Sequence, residues 1–396
     1  MAVGTSFGTP LLLDLRRGET QPLMNSDVVE IRYTAGTLVS VLPDGTMEAV
    51  AFDLGKRRIT GSPVVIATGV ALTGTGFAQF SVSENGTVVY IPEEPRSLVL
   101  FDHSGNGRAV TDEKRNYHIP RFSPDGRRLL TDFNSVDGRD VWLLELEGGT
   151  LIRVSSDRDG HDATWEPDGQ FVTYASANRS GGVLGLYRTR PGRAGEVDSL
   201  FAAVQLSYPG TWLPDRSGLV TQGLTLVPGS RGDIGIVRNG GRGPLEPLIA
   251  TRFEEQYPAI SRDGTWLAYT SDESGRDEVY VRPLTGNGDR IRVSLTGGNE
   301  AVWAPNGREL YYRASVEAGA FLVSASLRLT PSLAVTGRRQ LFDVSDIVTA
   351  QPHANYDISP DGRTFAMVRQ NPSTRLMVIQ NLPALVRELD RGGARR

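Results

Sequence analysis

A short turn sequence recurs at nearly even spacing along most of this 396-residue chain, and it restricts the possible folds more than any other feature. Its clearest form is RFSPDG, from Arg121 to Gly126, and it returns as TWEPDG, AISRDG, VWAPNG and DISPDG. Looser copies, FSVSENG and TWLPDRSG, end at Gly86 and Gly218. Successive closing glycines lie 40 to 55 residues apart, which is the spacing of a blade-type repeat array rather than of unrelated domains.

Each repeat carries the pattern of a small antiparallel sheet. In the unit from Tyr117 to Arg158, four apolar stretches separated by turns predict four strands. In the recurring turn, Asp accepts local backbone hydrogen bonds and Gly adopts a positive φ. A large apolar side chain stands four residues before each closing glycine, once the two extra residues of TWLPDRSG are discounted, and it predicts a wedge between adjacent sheets. These positions are Val82, Phe122, Trp165, Trp212, Ile260, Trp303 and Ile358.

The repeats predict an all-β fold, a β-propeller of four-stranded antiparallel blades that spans residues 1–390 as a single domain. Inner-strand turns are expected near residues 36, 86, 126, 169, 218, 264, 307 and 362, which favours eight blades, with seven as the alternative. The N-terminal LLLDLRRGETQPL resembles the second half of a blade whose first strands are ISPDGRTFAMV and RLMVIQN, so N- and C-terminal strands would close the ring. A helix is indicated at Leu382 to Leu389, and the tail 391–396 is expected to be disordered.

Composition excludes several classes of function. The formal net charge is −4, so the chain lacks the basic surface expected of a protein whose main partner is nucleic acid. It has no cysteine, which excludes disulfides, thiolate metal ligands and a cysteine nucleophile. No apolar run approaches the roughly 18 residues of a membrane span, and we expect no span and no cofactor.

The SPDG turns, together with AVAFDL (Ala49 to Leu54), ITGSPV (Ile59 to Val64) and RLMVIQNLPALVREL at the C-terminal end, resemble the TolB-type, WD-like propeller repeats. More narrowly, they resemble the C-terminal propeller region of bacterial receptor-like serine/threonine protein kinases. That resemblance implies a sensing or protein-interaction module, extracytoplasmic if it belongs to a membrane-anchored kinase and cytoplasmic if the chain is complete. The chain has no Gly-rich phosphate loop and no HRD loop, so kinase activity is not carried over, and a kinase domain encoded upstream is a possible partner.

Polar side chains recur at one repeat position, eight residues before the closing glycine. His118 and His161 occupy it, and the other units offer Tyr208, Gln256, Asn299 and, one residue away, His353. Because this position lies where the outer strand of one blade leads to the inner strand of the next, these side chains are expected to gather at one mouth of the central channel. They are the predicted ligand-binding residues, for a protein, peptide or small-molecule ligand.

Two other interpretations of these residues stay open. In one, each side chain only hydrogen-bonds the turns of its own blade, as the His of WD-type repeats does. In the other, the polar mouth is a hydrolase or lactonase-like site with a bound divalent cation, although Ala78, Gln256 and Asn299 weaken the ligand set. No catalytic residue and no metal ligand is assigned. A further alternative is a substrate gate for a separately encoded prolyl oligopeptidase-type peptidase, because TolB-like propellers also resemble the gating domain of such enzymes.

Overall fold

A computed structural model describes the chain from residue 2 to residue 393, apart from residues 5–9, 16–17, 25–27, 73–76, 94–95, 136–137, 181, 194, 203–206, 224, 287, 317–318, 350–352 and 371–374. The described residues form many antiparallel strands and little helix, as the sequence predicts. They divide into two compact units, which we describe separately: residues 1–95, 134–138 and 371–396, and residues 96–133 and 139–370.

The first unit contains three antiparallel sheets and a helix. One sheet consists of Ala2–Gly4, Leu11–Asp14 and Glu19–Pro22. A second consists of Glu30–Thr34, Thr37–Val41, Met47–Asp53, Arg58–Ile59 and Val64–Ala67, and a third of Phe80–Val82, Val88–Tyr90 and Met377–Ile379. The helix spans Leu382–Gly393, so the predicted helix is confirmed and includes residues 391–393 of the expected disordered tail; residues 394–396 lie outside the described part.

That helix packs through its apolar face. Leu382 and Val386 are buried against Val39, Val41 and Met47 of the second sheet. In the part of the chain that the structure covers, no helix is both long and apolar enough to cross a membrane.

The second unit contains six four-stranded antiparallel sheets within the described residues, which we name blades 1 to 6. Blade 1 consists, from the inner strand outward, of Tyr356–Ile358, Phe365–Arg369, Ser97–Phe101 and Gly107–Ala109. Blade 2 consists of His118–Phe122, Arg128–Ser135, Gly138–Glu145 and Leu151–Arg153, and blade 3 of His161–Trp165, Val172–Ser176, Gly185–Thr189 and Val197–Ala202. Blade 4 consists of Ser207–Trp212, Gly218–Gly223, Asp233–Val237 and Leu245–Ile249. Blade 5 consists of Glu255–Ile260, Trp266–Ser271, Glu278–Pro283 and Ile291–Arg292, and blade 6 of Asn299–Trp303, Glu309–Val316, Gly319–Arg328 and Ala334–Asp343. Short helical turns lie at Asn178–Ser180 and Arg238–Gly241.

The six blades close into a ring, because the inner strand of each one contacts the inner strand of the next and blade 6 packs its core against blade 1. Blade 1 provides the closure, since it pairs Ser97–Phe101 with Phe365–Arg369.

The expected pairing of the C-terminal strands with Leu11–Asp14 is therefore corrected, and Met377–Ile379 pairs with Val88–Tyr90 instead. A blade built from both ends of the unit leaves no incomplete blade among the described residues of the ring, so the only open edges there are the outer strands of the blades. The count of eight blades is not confirmed, and the single propeller over 1–390 stays a prediction.

The recurring turn has the predicted backbone. The closing glycines Gly126, Gly169, Gly264, Gly307 and Gly362 have φ between +67° and +75°. In the stretched copy the positive φ, +62°, belongs to Arg216 rather than to Gly218, which begins a strand. Measured from Arg216, Tyr208 is eight residues upstream, like His118 and His161 in their repeats.

The predicted apolar wedge lies between neighbouring blades. Trp212 is 5% exposed and packs among side chains of blades 3 and 4, and its Nε1 donates to Oγ1 of Thr173 on blade 3 (3.1 Å). Trp303 bridges blades 6 and 5 in the same way, and its Nε1 donates to the carbonyl oxygen of Ala259 (3.1 Å). Because a blade has neighbours on both faces, whole strands such as Val172–Ser176 are buried, which hides the two-residue alternation of a half-exposed strand.

Candidate functional site

Four of the six predicted ligand-binding side chains meet at one end of the channel of the second unit. The ring centroids of His118 and His353 are 5.8 Å apart, those of His161 and Tyr208 are 6.1 Å apart, and those of Tyr208 and His353 are 6.2 Å apart. Tyr208 belongs to blade 4 and His353 leads into blade 1, which stand opposite each other in a ring of six. These rings therefore narrow the mouth from both sides.

The other two predicted residues occupy the equivalent place in blades 5 and 6 but bind acidic neighbours. The side-chain amide of Gln256 donates to Oε1 of Glu254 (2.9 Å), and the side chain of Asn299 hydrogen-bonds Asp277. Glu254 directly precedes blade 5, so Gln256 stays within its own repeat, whereas Asp277 lies in the hairpin of blade 5, so Asn299 of blade 6 contacts the preceding blade. We define the mouth cluster as His118, His161, Tyr208 and His353 together with three residues described next, Asp132, Arg139 and Asp162.

The inner strands bend immediately after the predicted position. Ile119, Asp162, Tyr257 and Glu300 all have positive φ, between +43° and +56°, and the strand register shifts at the same point. A side chain in this region of φ costs roughly 1–2 kcal/mol, so an acceptor must hold each bend. Because the bend recurs in four blades, it belongs to the fold and is not a mark of the site alone.

Acceptors from the preceding blade hold two of these bends. The backbone N–H of Asp162 donates to Oδ2 of Asp132 (3.0 Å), and that of Tyr257 donates to Oε1 of Gln222 (2.7 Å). Asp132 lies on the second strand of blade 2, where the register pairs it with His118. In blade 2, Asp132, the residue paired with His118, thus supplies a buried carboxylate to the mouth.

Arg139 completes the charged part of the mouth cluster. Its Nε donates to Oδ1 of Asp132 and its Nη2 donates to Nδ1 of His118, both at 2.6 Å. The Nδ1–H of His161 donates to Oδ2 of Asp162 at 2.9 Å, and Nε2 of His353 lies 3.1 Å from Oδ1 of Asp162.

Sequence reasoning did not find Asp132, Arg139 or Asp162. The sequence does mark two of them. Asp162 directly follows the predicted residue His161. Asp132 is the only carboxylate among the second-strand residues that pair with the predicted positions, because the others in blades 3 to 6 are Ala175, Gln222, Thr270 and Arg313. No repeat signal marks Arg139, which lies at the start of the third strand of blade 2.

Electrostatics keep both carboxylates of the mouth ionised. Burial opposes ionisation of Asp132, but Arg139 and His118 outweigh it and lower the pKa of Asp132 to about 2. Burial opposes ionisation of Asp162 too, yet the neighbouring His353 and His161 hold its pKa well below the usual value. For His118, burial lowers the pKa, which keeps the imidazole neutral and its Nδ1 free to accept from Arg139.

Below the mouth, the channel holds a cavity of about 280 Å³. Its polar lining includes Arg121, Thr164, Thr211, His353 and Asp357, so His353 belongs to both the cavity and the mouth cluster. Arg121 is anchored to backbone carbonyls, with Nη2 donating to the oxygen of Ala354 (2.7 Å). Oδ2 of Asp357 accepts from the N–H of Phe122 (2.8 Å), which links blade 1 to blade 2.

Comparisons with known proteins agree on the fold. The structure is similar to that of a putative TolB from Agrobacterium tumefaciens, with a TM-score of 0.55, 20% sequence identity and coverage of 71% of this chain and 100% of the other. It is also similar to TolB from Acinetobacter baumannii, with a TM-score of 0.48, 14% identity and coverage of 87% and 79%. At these identities the comparison establishes a TolB-type β-propeller fold alone.

Sequence comparison adds a distant relative. The chain is 25% identical to an uncharacterized peptidase, YuxL, of Bacillus subtilis, over 41% of this chain and 31% of that protein. The chain therefore matches less than a third of the length of this relative. No family model matches, and the resemblance to the propeller region of kinases is not confirmed.

Proposed function

We propose that this TolB-type propeller is a non-catalytic binding module whose channel mouth receives one end group of a protein, a peptide or a small ligand. One observation carries the proposal: ring side chains from four blades, His118, His161, Tyr208 and His353, lie within about 6 Å of a neighbouring ring beside an open cavity. Ring side chains with polar atoms that come from four blades and meet at one mouth are suited to ligand contact.

The size of the cavity limits what can enter it. At about 280 Å³ it lies just below the usual range of ligand pockets, roughly 300–1,000 Å³. It admits a side chain, a chain terminus or a small molecule rather than a folded element. A larger partner would contact the surrounding loops and insert only one group.

The chemistry of the mouth favours binding over turnover. Arg139 and His118 are engaged with each other and with Asp132, so these groups are committed to a fixed network. Burial raises the pKa of the Tyr208 hydroxyl, so that hydroxyl stays protonated and is a poor nucleophile at neutral pH. The resemblance to kinase propeller regions supports a sensing role for such a module, with a kinase domain as its partner.

A ligand screen tests the proposal. We would follow the thermal unfolding of the full chain with free amino acids, capped dipeptides, and neutral and acidic monosaccharides as probes. Each hit would then be titrated by calorimetry into the wild type, the His118→Ala/His161→Ala double variant and Tyr208→Ala. The control is Gln170→Ala, an exposed position in the turn at the other end of blade 3.

The expected result is a hit that binds the wild type and the control equally and binds the mouth variants at least about tenfold more weakly. Mass spectrometry should recover that probe unchanged. Hits that bind all variants equally would contradict the proposal, and so would a probe that is converted by the wild type but not by the mouth variants.

A second candidate is a substrate gate for a separately encoded peptidase, which the likeness to part of the peptidase YuxL favours. It predicts that a prolyl oligopeptidase-type hydrolase forms a stable complex with this chain in size-exclusion chromatography. The complex should cleave short fluorogenic peptides and exclude long ones, whereas the hydrolase alone should cleave both.

A further inference from the structure

We infer that the mouth cluster contains a binding site for a divalent transition-metal ion, with Nδ1 of His118, Oδ1 of Asp162 and Nε2 of His353 as ligands. The inference goes beyond the proposed function, because the ion would bind whether or not an organic ligand enters the channel.

The distances from Oδ1 of Asp162 to the two imidazole donors suit a single ion. Nδ1 of His118 is 3.7 Å from Oδ1 of Asp162, and Nε2 of His353 is 3.1 Å from the same oxygen. Donors bound to one ion at about 2.0–2.2 Å stand roughly 3–4 Å from each other, which both distances satisfy. Oδ1 of Asp132, at 3.6 Å from Nδ1 of His118, is placed to become a fourth ligand.

Two of these donors are buried and have no hydrogen-bond partner in the described part of the chain. Asp162 is 5% exposed and His353 is 6% exposed; Oδ1 of Asp162 and Nε2 of His353 face each other at 3.1 Å without a well-aligned hydrogen bond, and Nδ1 of His353 has no partner there. Buried polar atoms without partners cost free energy, and a cation between Asp162 and His353 would satisfy both. His161 holds the other oxygen of Asp162 and so aims Oδ1 at the ion.

When no metal is bound, the guanidinium of Arg139 neutralises the carboxylates of the mouth cluster. Its Nη2 donates to His118 at 2.6 Å and lies 3.6 Å from Oδ1 of Asp162. An ion bound by His118 must therefore displace this guanidinium. The side chain of Arg139 is 25% exposed, so it has a route toward solvent, and its charge should oppose metal binding.

The donor set selects the class of metal. Two imidazoles and a carboxylate suit Zn²⁺, Mn²⁺ and similar first-row ions, whereas Ca²⁺ and Mg²⁺ prefer sites made only of oxygen.

The test is calorimetric titration of the full chain, stripped with EDTA and dialysed, with ZnCl₂, MnCl₂, NiCl₂ and CaCl₂ separately. The variants are His118→Ala, His353→Ala and Asp162→Asn; Asn is chosen because it tolerates the positive φ of this position better than most residues. The fourth histidine provides the matched control, His103→Ala, because its Nε2–H donates to the carbonyl oxygen of Gly362 (2.8 Å), outside the mouth cluster. Circular dichroism and thermal melting would establish that each variant is folded.

We expect one Zn²⁺ or Mn²⁺ per chain, a loss of about 100-fold or more in affinity in each ligand variant, and no change in His103→Ala. His161→Ala should weaken binding by about tenfold, and Arg139→Gln should strengthen it by about tenfold, because a competing charge is gone. This last result separates the metal site from a purely structural ion network, in which removing Arg139 creates no metal affinity. Dissociation constants above about 1 mM for every transition metal, equal binding in the ligand variants, or a preference for Ca²⁺ would overturn the inference.

Discussion

Oε2 of Glu300 accepts a hydrogen bond from the backbone N–H of Asn355, 55 residues further along the chain, at 2.8 Å. The bond joins the bend of blade 6 to the segment that leads into blade 1, so it repeats the link that Asp132 makes between blades 2 and 3. Unlike Asp132, Glu300 has no ion-pair partner at bonding distance among the described residues. Its carboxyl is 1% exposed, and its Oε1 has no hydrogen bond there.

Glu300 should make stability depend on pH near neutrality. Burial raises its pKa from 4.5 to about 7, against the smaller effects of the Asn355 amide, Arg313 and Arg121. The folded state therefore keeps a proton that the unfolded state loses above about pH 4.5, and stability falls as pH rises from about 4.5 to 7. The loss attributable to this group is on the order of 3 kcal/mol. Glu300→Gln should remove that part of the pH dependence, as measured by urea unfolding at pH 5 and pH 8; an unchanged difference between the two would contradict the assignment.

Two closing glycines should respond differently to the same substitution. Gly86 and Gly307 have φ of +83° and +67°, so alanine is strained at both by roughly 1–2 kcal/mol. At Gly307 an added Cβ meets nothing within 4 Å, whereas at Gly86 it lies 2.9 Å from Cδ of Pro383, whose ring cannot turn away. Thermal unfolding should show a distinctly larger loss for Gly86→Ala than for Gly307→Ala, and equal losses would mean that the proline contact is relieved at little cost.

The wedge residue of blade 4 should be among the most costly to truncate. Trp212→Ala removes a side chain that is 5% exposed between blades 3 and 4, and we expect a loss of about 3–5 kcal/mol in the free energy of unfolding. Trp212→Phe keeps most of the apolar area but leaves Thr173 without its partner, which costs about 1–2 kcal/mol. Trp266, which is partly exposed, provides the control, because Trp266→Ala should cost less than Trp212→Ala.

Features that depend on local turn chemistry could be predicted from the sequence, whereas features that depend on pairing between distant strands could not. The SPDG turn predicted the repeat, the wedge side chains and the meeting of His118, His161 and Tyr208, because identical local geometry places equivalent residues at equivalent points of a ring. His353 stands one residue from that position, and Gln256 and Asn299 occupy it but bind acidic neighbours instead. The repeat does not indicate which sheet receives the last two strands, since many apolar strands could pair there. Which strand the C-terminal strand Phe365–Arg369 joins is decided by its pairing with Ser97–Phe101, which lies 264 or more residues earlier in the chain.

The charged half of the mouth escaped prediction for a similar reason. Asp132 and Arg139 come from the second and third strands of blade 2. Comparison of the second strands would single out Asp132 as the one carboxylate at its position, whereas nothing in the repeat singles out Arg139. Their importance arises from burial beside His118, a property of the closed ring.

Ring closure by blade 1 gives the last prediction. All strands of the six blades lie between residues 96 and 370, so a fragment with these ends should fold by itself and unfold cooperatively with the circular dichroism of a β protein. A fragment of residues 96–349 lacks Tyr356–Ile358 and Phe365–Arg369, which leaves Ser97–Phe101 with an unpaired edge, and it should aggregate or unfold without cooperativity. The single propeller over 1–390 predicts the opposite for the longer fragment, because removing residues 1–95 would then open the ring and leave blades unpartnered. Size-exclusion chromatography and denaturant unfolding of the two fragments would distinguish these outcomes.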